Sequence, residues 1–147
     1  MARGDSKASA AYNQNAYNGA YNHSTDTIAW SLVSNTYASI DVNAASLALA
    51  DLTIIASAGN YVAGTALAGK TWAKSGATST LDGDNITVAA DAANPVTACC
   101  IAFYNDTSAT DDVICVVDIT TDGTTPVDLT NGFTDTIAGL IQVTANA

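Results

Sequence analysis

The sequence predicts a mainly β chain: an antiparallel β-sandwich or small barrel with one short helix and an extended N-terminal arm. Two strand-like runs, Val96 to Tyr104 and Val113 to Thr120, flank the polar segment Asn105 to Asp112. Runs of this kind joined by Asn, Asp, Ser and Thr are typical of an antiparallel hairpin. Both faces of each run are largely apolar, so we expect the hairpin to be covered on both sides.

Composition and turn residues support the same fold class. All fourteen acidic residues are Asp and none is Glu, and Asp favours turns and caps whereas Glu is a good helix former. Asp-Gly and Asn-Gly pairs separate short apolar runs, as expected of tight turns. The sequence predicts about eight short strands in all, a number typical of a sandwich or barrel. A chain of 147 residues is long enough for one domain with a substantial core.

The body comprises residues 26–147 and follows the arm, residues 1–25. In Thr27 to Ser34 the apolar residues alternate, which predicts a strand. The other predicted strands, besides the two central runs, are Leu52 to Ala56, Lys70 to Lys74, Ile86 to Ala90, Val127 to Leu129 and one within Thr136 to Thr144. The clearest helix-favouring run is AASLALA, which predicts a short helix over Ala44 to Ala50, capped by Asp41 or Asn43.

The arm differs from the body in composition. AYN occurs three times in it, and it contains no Val, Ile or Leu, so it cannot build a core of its own. We expect an extended arm that docks on a neighbouring subunit or a larger acidic partner; the alternative is a disordered tail. The predicted interface residues are two cations and three aromatic anchors: Arg3, Lys7, Tyr12, Tyr17 and Tyr21.

Charge and hydropathy exclude several classes of partner. A net charge of -10 argues against a nucleic acid backbone, which needs Lys and Arg on one face. No stretch approaches the ~20 apolar residues that span a bilayer, and the N-terminus lacks the apolar centre of a secretory signal. We expect a soluble protein with no nucleic acid partner and no membrane partner.

The three cysteines, Cys99, Cys100 and Cys115, all lie in the central hairpin. With a loop centred near Ser108, Cys115 lies opposite Ile101 and diagonal to Cys99, a placement that seldom suits a disulfide. We therefore predict buried free thiols. With one histidine and no C-x-x-C pair, a zinc site is not expected.

The sequence contains few residues of the types that catalytic sites use. A Ser-His-Asp triad would need His23, which lies in the arm and lacks rigid support. Gly64 to Thr71 spells G-x-x-x-x-G-K-T, the pattern of a phosphate-binding loop. A genuine loop of this kind opens a helix in an α/β domain, whereas TWAKSG after it is strand-like, so we interpret the match as chance. The sequence predicts no catalytic residue, no cofactor and no small-molecule substrate.

Two loops carry clusters of oxygen ligands that calcium could use. The clusters are Asp82, Asp84 and Asn85, and Asp106, Asp111 and Asp112. Neither has the spacing of an EF-hand loop, and the bidentate Glu that closes such a loop is missing from this chain. We predict solvated turns and no metal ligand, with calcium binding as the alternative.

Two stretches resemble a family of small structural proteins of tailed bacteriophages. Gly59 to Gly76 is similar to a family segment in which a Tyr, glycines and a Leu lead through Gly-x-Thr-Trp into a strand. Ala102 to Gly123 is similar to one in which a strand ending in Tyr continues through Asp-Thr into a loop and a second strand. Ile28 to Tyr37 fits the family's opening strand and Tyr-containing turn.

The resemblance implies a non-enzymatic virion protein, and the arm favours a capsid decoration or cement protein. The implied partners are the major capsid protein and copies of the chain itself, as a dimer or trimer on the capsid surface, where the arm ties capsid subunits together. One alternative is a tail, fibre or receptor-binding module with exposed loop aromatics such as Tyr37 and Tyr104. A further alternative is a self-assembling surface or fibre subunit. The last is an enzyme such as a hydrolase, for which the sequence offers no catalytic triad.

Overall fold

The computed structural model of the chain describes residues 3–135 and the backbone of residues 141–144. The strands are β1 (Ser6–Ala8), β2 (Ile28–Val33), β3 (Thr65–Ala66), β4 (Thr71–Ser75), β5 (Thr78–Asp82), β6 (Ile86–Val88), β7 (Cys100–Asn105), β8 (Asp112–Asp118), β9 (Phe133–Asp135) and β10 (Ile141–Thr144). The α-helix is α1 (Ala10–Tyr17), and two short 3-10 helices span Tyr37–Ser39 and Leu49–Asp51. The prediction of a mainly β chain with antiparallel sheets and one short α-helix is confirmed.

The predicted central hairpin lies at the middle of the largest sheet. That sheet has five strands in the order β1-β8-β7-β2-β3, and each neighbouring pair is antiparallel. A three-stranded sheet has the order β10-β5-β4, and β6 pairs with β9 alone. The hairpin partners β7 and β8 therefore have a strand on each outer side, so neither presents a free edge.

Each face of the five-stranded sheet is covered, as the sequence predicts. On one face, buried side chains such as Trp30, Phe103 and Ile114 pack with Leu81 and Phe133 from the two smaller sheets. On the other face the sheet packs against the irregular segment 34–52, whose buried residues are Tyr37, Ile40, Leu47, Leu49 and Leu52. Since each fully buried aliphatic or aromatic side chain stabilises the fold by about 1.5–3 kcal/mol, both clusters are needed for stability.

The register of the hairpin differs from the prediction by two residues. Cys115 lies opposite Phe103, and Ile101 lies opposite Val117. The loop is centred between Ser108 and Ala109, and a β-bulge at Phe103/Tyr104 adds one more residue to β8. Because a bulge interrupts the alternation of side chains, Ile114 and Cys115 both join the same hydrophobic cluster.

The predicted helix over Ala44 to Ala50 is wrong. Val113 donates its N–H to the carbonyl of Leu47, and Leu49 donates to Asp111, so the backbone of this run is hydrogen-bonded to the central hairpin. Leu47 and Leu49 are both buried, a strand-like spacing that a helix cannot provide. Tertiary contacts override a helix-favouring composition here.

Of the other predicted strands, the runs starting at Thr27, Lys70 and Ile86 are confirmed as β2, β4 and β6. The runs Leu52 to Ala56 and Val127 to Leu129 are reduced to single bridges, Val33–Ile54 and Ala98–Val127. Within the last predicted run, residues 141–144 form β10, and residues 136–140 lie outside the described part of the chain.

The three cysteines are free and buried, which confirms the prediction. Burial raises the pKa of both Cys100 and Cys115 to about 12. Thiols that stay protonated at neutral pH are poor nucleophiles and poor metal ligands, so these residues act as small apolar side chains.

Candidate functional site: the N-terminal segment, an aromatic cleft and an apolar loop face

The N-terminal segment, residues 3–25, packs on the body of its own chain. β1 pairs with β8 through Ser6–Val117, Lys7–Val116 and Ala8–Cys115. α1 follows directly, because the Ser9 hydroxyl accepts a hydrogen bond of 3.3 Å from the N–H of Tyr12 and caps the helix. The segment is thus not extended throughout. Its predicted contact with a neighbouring subunit is untested and stays a prediction.

Arg3 of the predicted interface is held by β9. Its Nη2 donates to the carbonyl of Thr134 at 2.7 Å, and its Nε lies 3.7 Å from Oδ1 of Asp135. The guanidinium carbon lies 5.0 Å from the centroid of the Phe133 ring, within the range of a cation–π contact. Burial raises the pKa of Asp135, and Arg3 opposes that rise.

Lys7, the second cation, is held by the segment that covers the sheet. Its Nζ donates to the carbonyls of Tyr37 and Ile40 and lies 4.5 Å from the centroid of the Tyr37 ring. Burial lowers the pKa of Lys7. Both predicted cations therefore contact their own body, whereas the sequence predicts contacts with another copy of the chain or with a larger acidic partner.

The three predicted aromatic anchors have different environments. Tyr12 is 1% exposed and stacks on Tyr21 with ring centroids 4.6 Å apart and planes at 10°. The Tyr21 hydroxyl donates to Oδ2 of Asp112 and accepts from Asn15 at 3.1 Å. Tyr17 is 78% exposed. Of the five predicted interface residues, Tyr17 is the most exposed, and the Arg3 side chain is 45% exposed.

An open cleft of about 540 Å³ lies between the end of α1 and the β4–β5 hairpin. Its aromatic lining is Tyr17, Tyr21, His23 and Trp72. The His23 and Trp72 ring centroids are 4.9 Å apart, and His23 lies 5.7 Å from Tyr12 at 69°. We call this the aromatic cleft. Sequence reasoning missed it, because it brings together residues of the arm and of a hairpin far along the chain.

His23 has a structural role in this cleft. Its Nε2 lies 3.4 Å from the hydroxyl of Tyr12. Burial lowers the pKa of His23, and the nearby Asp26 partly opposes that effect. The imidazole is therefore neutral at pH 7, and its ring serves as an apolar surface between Tyr12 and Trp72.

The two acidic loop clusters, for which calcium binding is the alternative to solvated turns, have hydrogen-bond partners within the chain. Asp112 accepts hydrogen bonds from the hydroxyls of Ser108 at 2.6 Å and Thr110 at 2.7 Å, besides that of Tyr21. Asp82 caps its own turn through the N–H of Gly83. In the described part of the chain no three His, Cys, Asp or Glu side chains are grouped so as to hold a metal ion.

Asp112 makes the fold sensitive to acid. Burial alone would raise the pKa of this carboxyl, but the hydroxyl donors Ser108, Tyr21 and Thr110 outweigh burial and lower its pKa. A group whose pKa is lowered by folding stabilises the fold above its unfolded pKa, and that stability is lost as the pH falls through the folded value. We expect Asp112→Asn to be less stable at pH 7 and to lose less stability below about pH 4.

Thermal unfolding between neutral and acid pH measures this effect. Asp106→Asn is the matched control, because it removes the same charge from the same loop without touching these hydroxyls. Parallel pH profiles for Asp112→Asn and the unaltered protein would show that the hydroxyl cluster does not hold the carboxylate.

The formal phosphate-loop match lies on a strand–turn–strand unit. β3 precedes the turn and β4 follows it, so the predicted strand after the motif is confirmed. The helix that a phosphate-binding loop opens does not begin at Thr71. Lys70 donates an Nζ hydrogen to the carbonyl of Asp26 and thereby joins this turn to the residue that follows the N-terminal segment.

Three large apolar side chains are exposed on two adjacent loops. Ile54, Val62 and Val96 are 41%, 58% and 51% exposed. Asn94 joins the loops: its Oδ1 accepts from the N–H of Asn60 at 2.8 Å, and its Nδ2 donates to the carbonyls of Ala89 and Leu129. We call Ile54, Val62 and Val96 the loop face.

The sequence contains a signal for the loop face that is easily overlooked beside the apolar runs of the sheet. No charged residue lies between Asp51 and Lys70 or between Asp91 and Asp106. In a chain of net charge -10, the exposed side chains Ile54, Val62 and Val96 thus lie in segments that carry no charge.

Within residues 3–135 and 141–144, no helix has the length and apolar character that crossing a membrane requires. Comparison of the chain with protein-family models, curated proteins and solved structures finds no match.

Proposed function

We propose that this chain is a non-enzymatic virion structural protein that decorates the outer shell of a bacteriophage capsid and bridges capsid subunits. The family resemblance of Gly59 to Gly76 and Ala102 to Gly123 suggests the class of protein. The loop face is the observation that carries the proposal, because it is a surface suited to a protein partner on a molecule that is otherwise strongly acidic.

The charge distribution supports binding through the loop face. Interface centres are depleted of charged residues and enriched in apolar ones. Val62 and Val96 lie in segments without charged residues, so a partner that covers these side chains desolvates no carboxylate of the segments themselves. Each side chain buried there stabilises the complex by about 25 cal/mol per Å² of apolar surface removed from water.

The loops are also ordered before a partner arrives. Gly59 has φ +58°, and a Cβ built there would lie 2.8 Å from the backbone nitrogen of Asn94, so only glycine fits this approach of the two loops. Preorganised loops lose less conformational entropy on binding. The loop face therefore presents its side chains at little entropic cost.

Bridging requires contacts on more than one neighbour. Arg3 and Lys7 bond to the chain's own body, Tyr12 lies in its core and Tyr21 bonds to Asp112, so we assign these contacts to the two loops of the loop face. In this proposal the N-terminal segment acts as a folded part of the body, and the major capsid protein and further copies of the chain are its partners.

Cryo-electron microscopy of intact particles locates the chain. The expected result is density on the outer shell, with Ile54, Val62 and Val96 against capsid subunits. Density confined to the tail or to a fibre would overturn the decoration role.

Rebinding of purified protein to undecorated particles tests the surface itself. The double variant Val62→Asp, Val96→Asp is expected to lose at least tenfold in occupancy at limiting concentration, since it buries two unpaired carboxylates at the contact. Tyr17→Asp adds a charge at an exposed site outside the loop face and serves, with Asp106→Asn, as a control that is expected to bind normally. Full occupancy of the double variant would contradict the assignment.

A tail, fibre or receptor-binding module is the second candidate. The predicted loop aromatics Tyr37 and Tyr104 do not support it, because both are buried in the core; each lies where the central sheet packs on segment 34–52. The observation in its favour is the pair Tyr17 and Trp72, whose exposed rings line the aromatic cleft.

A further inference from the structure

The aromatic cleft contains flat rings that are held in place before any ligand binds. Trp72 is 39% exposed and lies against His23. Tyr21 is fixed on its other side by stacking on Tyr12 and by its hydrogen bond to Asp112. At about 540 Å³ the cleft falls within the ~300–1,000 Å³ range of small-molecule sites.

Polar side chains lie beside these rings with hydrogen-bonding capacity to spare. The side-chain amide of Asn13 makes no hydrogen bond to the described part of the chain. Asn22 uses its Oδ1 to accept from the N–H of Ser24 at 3.1 Å, which leaves its Nδ2 donors for a ligand. The hydroxyls of Ser24 and Ser79 also line the cleft.

The described residues of the lining carry no formal charge at neutral pH. It consists of Asn, Ser, Tyr, Trp, Ala, Gly and the single His, and burial keeps that imidazole neutral by lowering its pKa. A net charge of -10 over the chain repels anions from the cleft at long range. The complementary ligand is therefore uncharged, partly flat and rich in hydroxyl groups.

We propose that the aromatic cleft binds a neutral saccharide. A pyranose ring has one face of C–H groups, which packs against the ring faces of Trp72 and Tyr17. The π-electrons of these rings attract the positively polarised C–H hydrogens. Its equatorial hydroxyls donate to and accept from the amides of Asn13 and Asn22 and the hydroxyls of Ser24 and Ser79. A proline-rich peptide also binds aromatic grooves, but it does not use four side-chain hydrogen-bonding groups in this way.

The test uses the full-length protein on an array of neutral and anionic glycans, followed by calorimetric titration of the saccharide that binds best. We expect binding to uncharged glycans and a loss of at least tenfold in affinity for both Trp72→Ala and Tyr17→Ala, the low end of what a stacked ring contributes. Trp72→Tyr is expected to restore most of the affinity, because it restores the flat ring.

Val62→Ala is the control, since it removes exposed apolar atoms from the loop face and leaves the cleft intact. Thermal unfolding confirms that each variant is folded. The proposal fails if no neutral glycan binds, if only sialylated or sulfated glycans bind, or if the cleft takes up a proline-rich peptide and no saccharide. It also fails if a bound glycan is held equally by Trp72→Ala and Tyr17→Ala.

Discussion

Tyr12→Ala is expected to lower the free energy of unfolding by about 3–5 kcal/mol, as for other large aromatic side chains removed from a core. Tyr12 is 1% exposed and belongs to the same hydrophobic cluster as Phe103 and Ile114. Its removal also takes away the ring on which Tyr21 stacks. Urea unfolding followed by circular dichroism measures the change.

Tyr17→Ala is the matched control, because it makes the same substitution in the same helix at a residue that is 78% exposed. We expect its effect to stay within about 0.5 kcal/mol. Tyr12→Phe separates packing from hydrogen bonding, since it keeps the ring and loses the hydroxyl, which lies 3.4 Å from Nε2 of His23 and also hydrogen-bonds to the side chain of Asn105.

The same experiment distinguishes a segment folded on its own body from an arm exchanged between subunits. If the N-terminal segment packs within one chain, the midpoint of unfolding does not depend on protein concentration. If the segment packs on a neighbour, the midpoint rises with concentration, because association is coupled to folding. Equal stability of Tyr12→Ala and Tyr17→Ala would contradict the packing of Tyr12 in the core.

Asn94→Ala is expected to cost about 2–4 kcal/mol, because it removes three hydrogen bonds made by a side chain that is only 4% exposed. The carbonyl of Leu129 keeps the N–H of Gly132 as a donor, whereas the N–H of Asn60 loses its side-chain acceptor. The two loops that carry Val62 and Val96 also lose their link. We therefore expect this variant to bind capsids weakly as well as to unfold more easily.

Asn60→Ala is the control for Asn94→Ala. It keeps the backbone N–H that bonds to Asn94 and removes a single exposed hydrogen bond, from Nδ2 of Asn60 to the carbonyl of Ala90 at 3.1 Å. We expect a loss of no more than about 1 kcal/mol. Chemical denaturation of both variants measures the difference, and equal losses would show that the buried amide does not organise the loops.

Much of the central sheet is predictable from the sequence because its signals are local. Alternating or continuous apolar runs locate β2, β7 and β8, and apolar residues on both faces of the hairpin predict its double coverage. The register is not predictable in the same way, because the bulge at Phe103/Tyr104 depends on how Ile114 and Cys115 pack. The helix over Ala44 to Ala50 fails for a related reason, since its backbone bonds to the hairpin instead.

The candidate sites depend on contacts that are distant in sequence, and sequence reasoning found them only in part. The N-terminal segment contains no Val, Ile or Leu, so its composition suggests an arm outside the core. Tyr12 nevertheless supplies a side chain that is buried in the main hydrophobic cluster. Trp72 meets His23 only after both the segment and the β4–β5 hairpin have folded.

The pairing of β1 with β8 has a consequence for synthesis on the ribosome. β1 emerges before the rest of its sheet, whereas its partner strand comes from the last third of the sequence, so the N-terminal segment must wait until that strand has been made. A segment of Ala, Asn, Tyr, Gly and Ser stays hydrated during that interval and offers little surface for aggregation. The exposed edge of β8, with its run Val-Ile-Cys-Val-Val, is then closed by a part of the chain that was translated well before it.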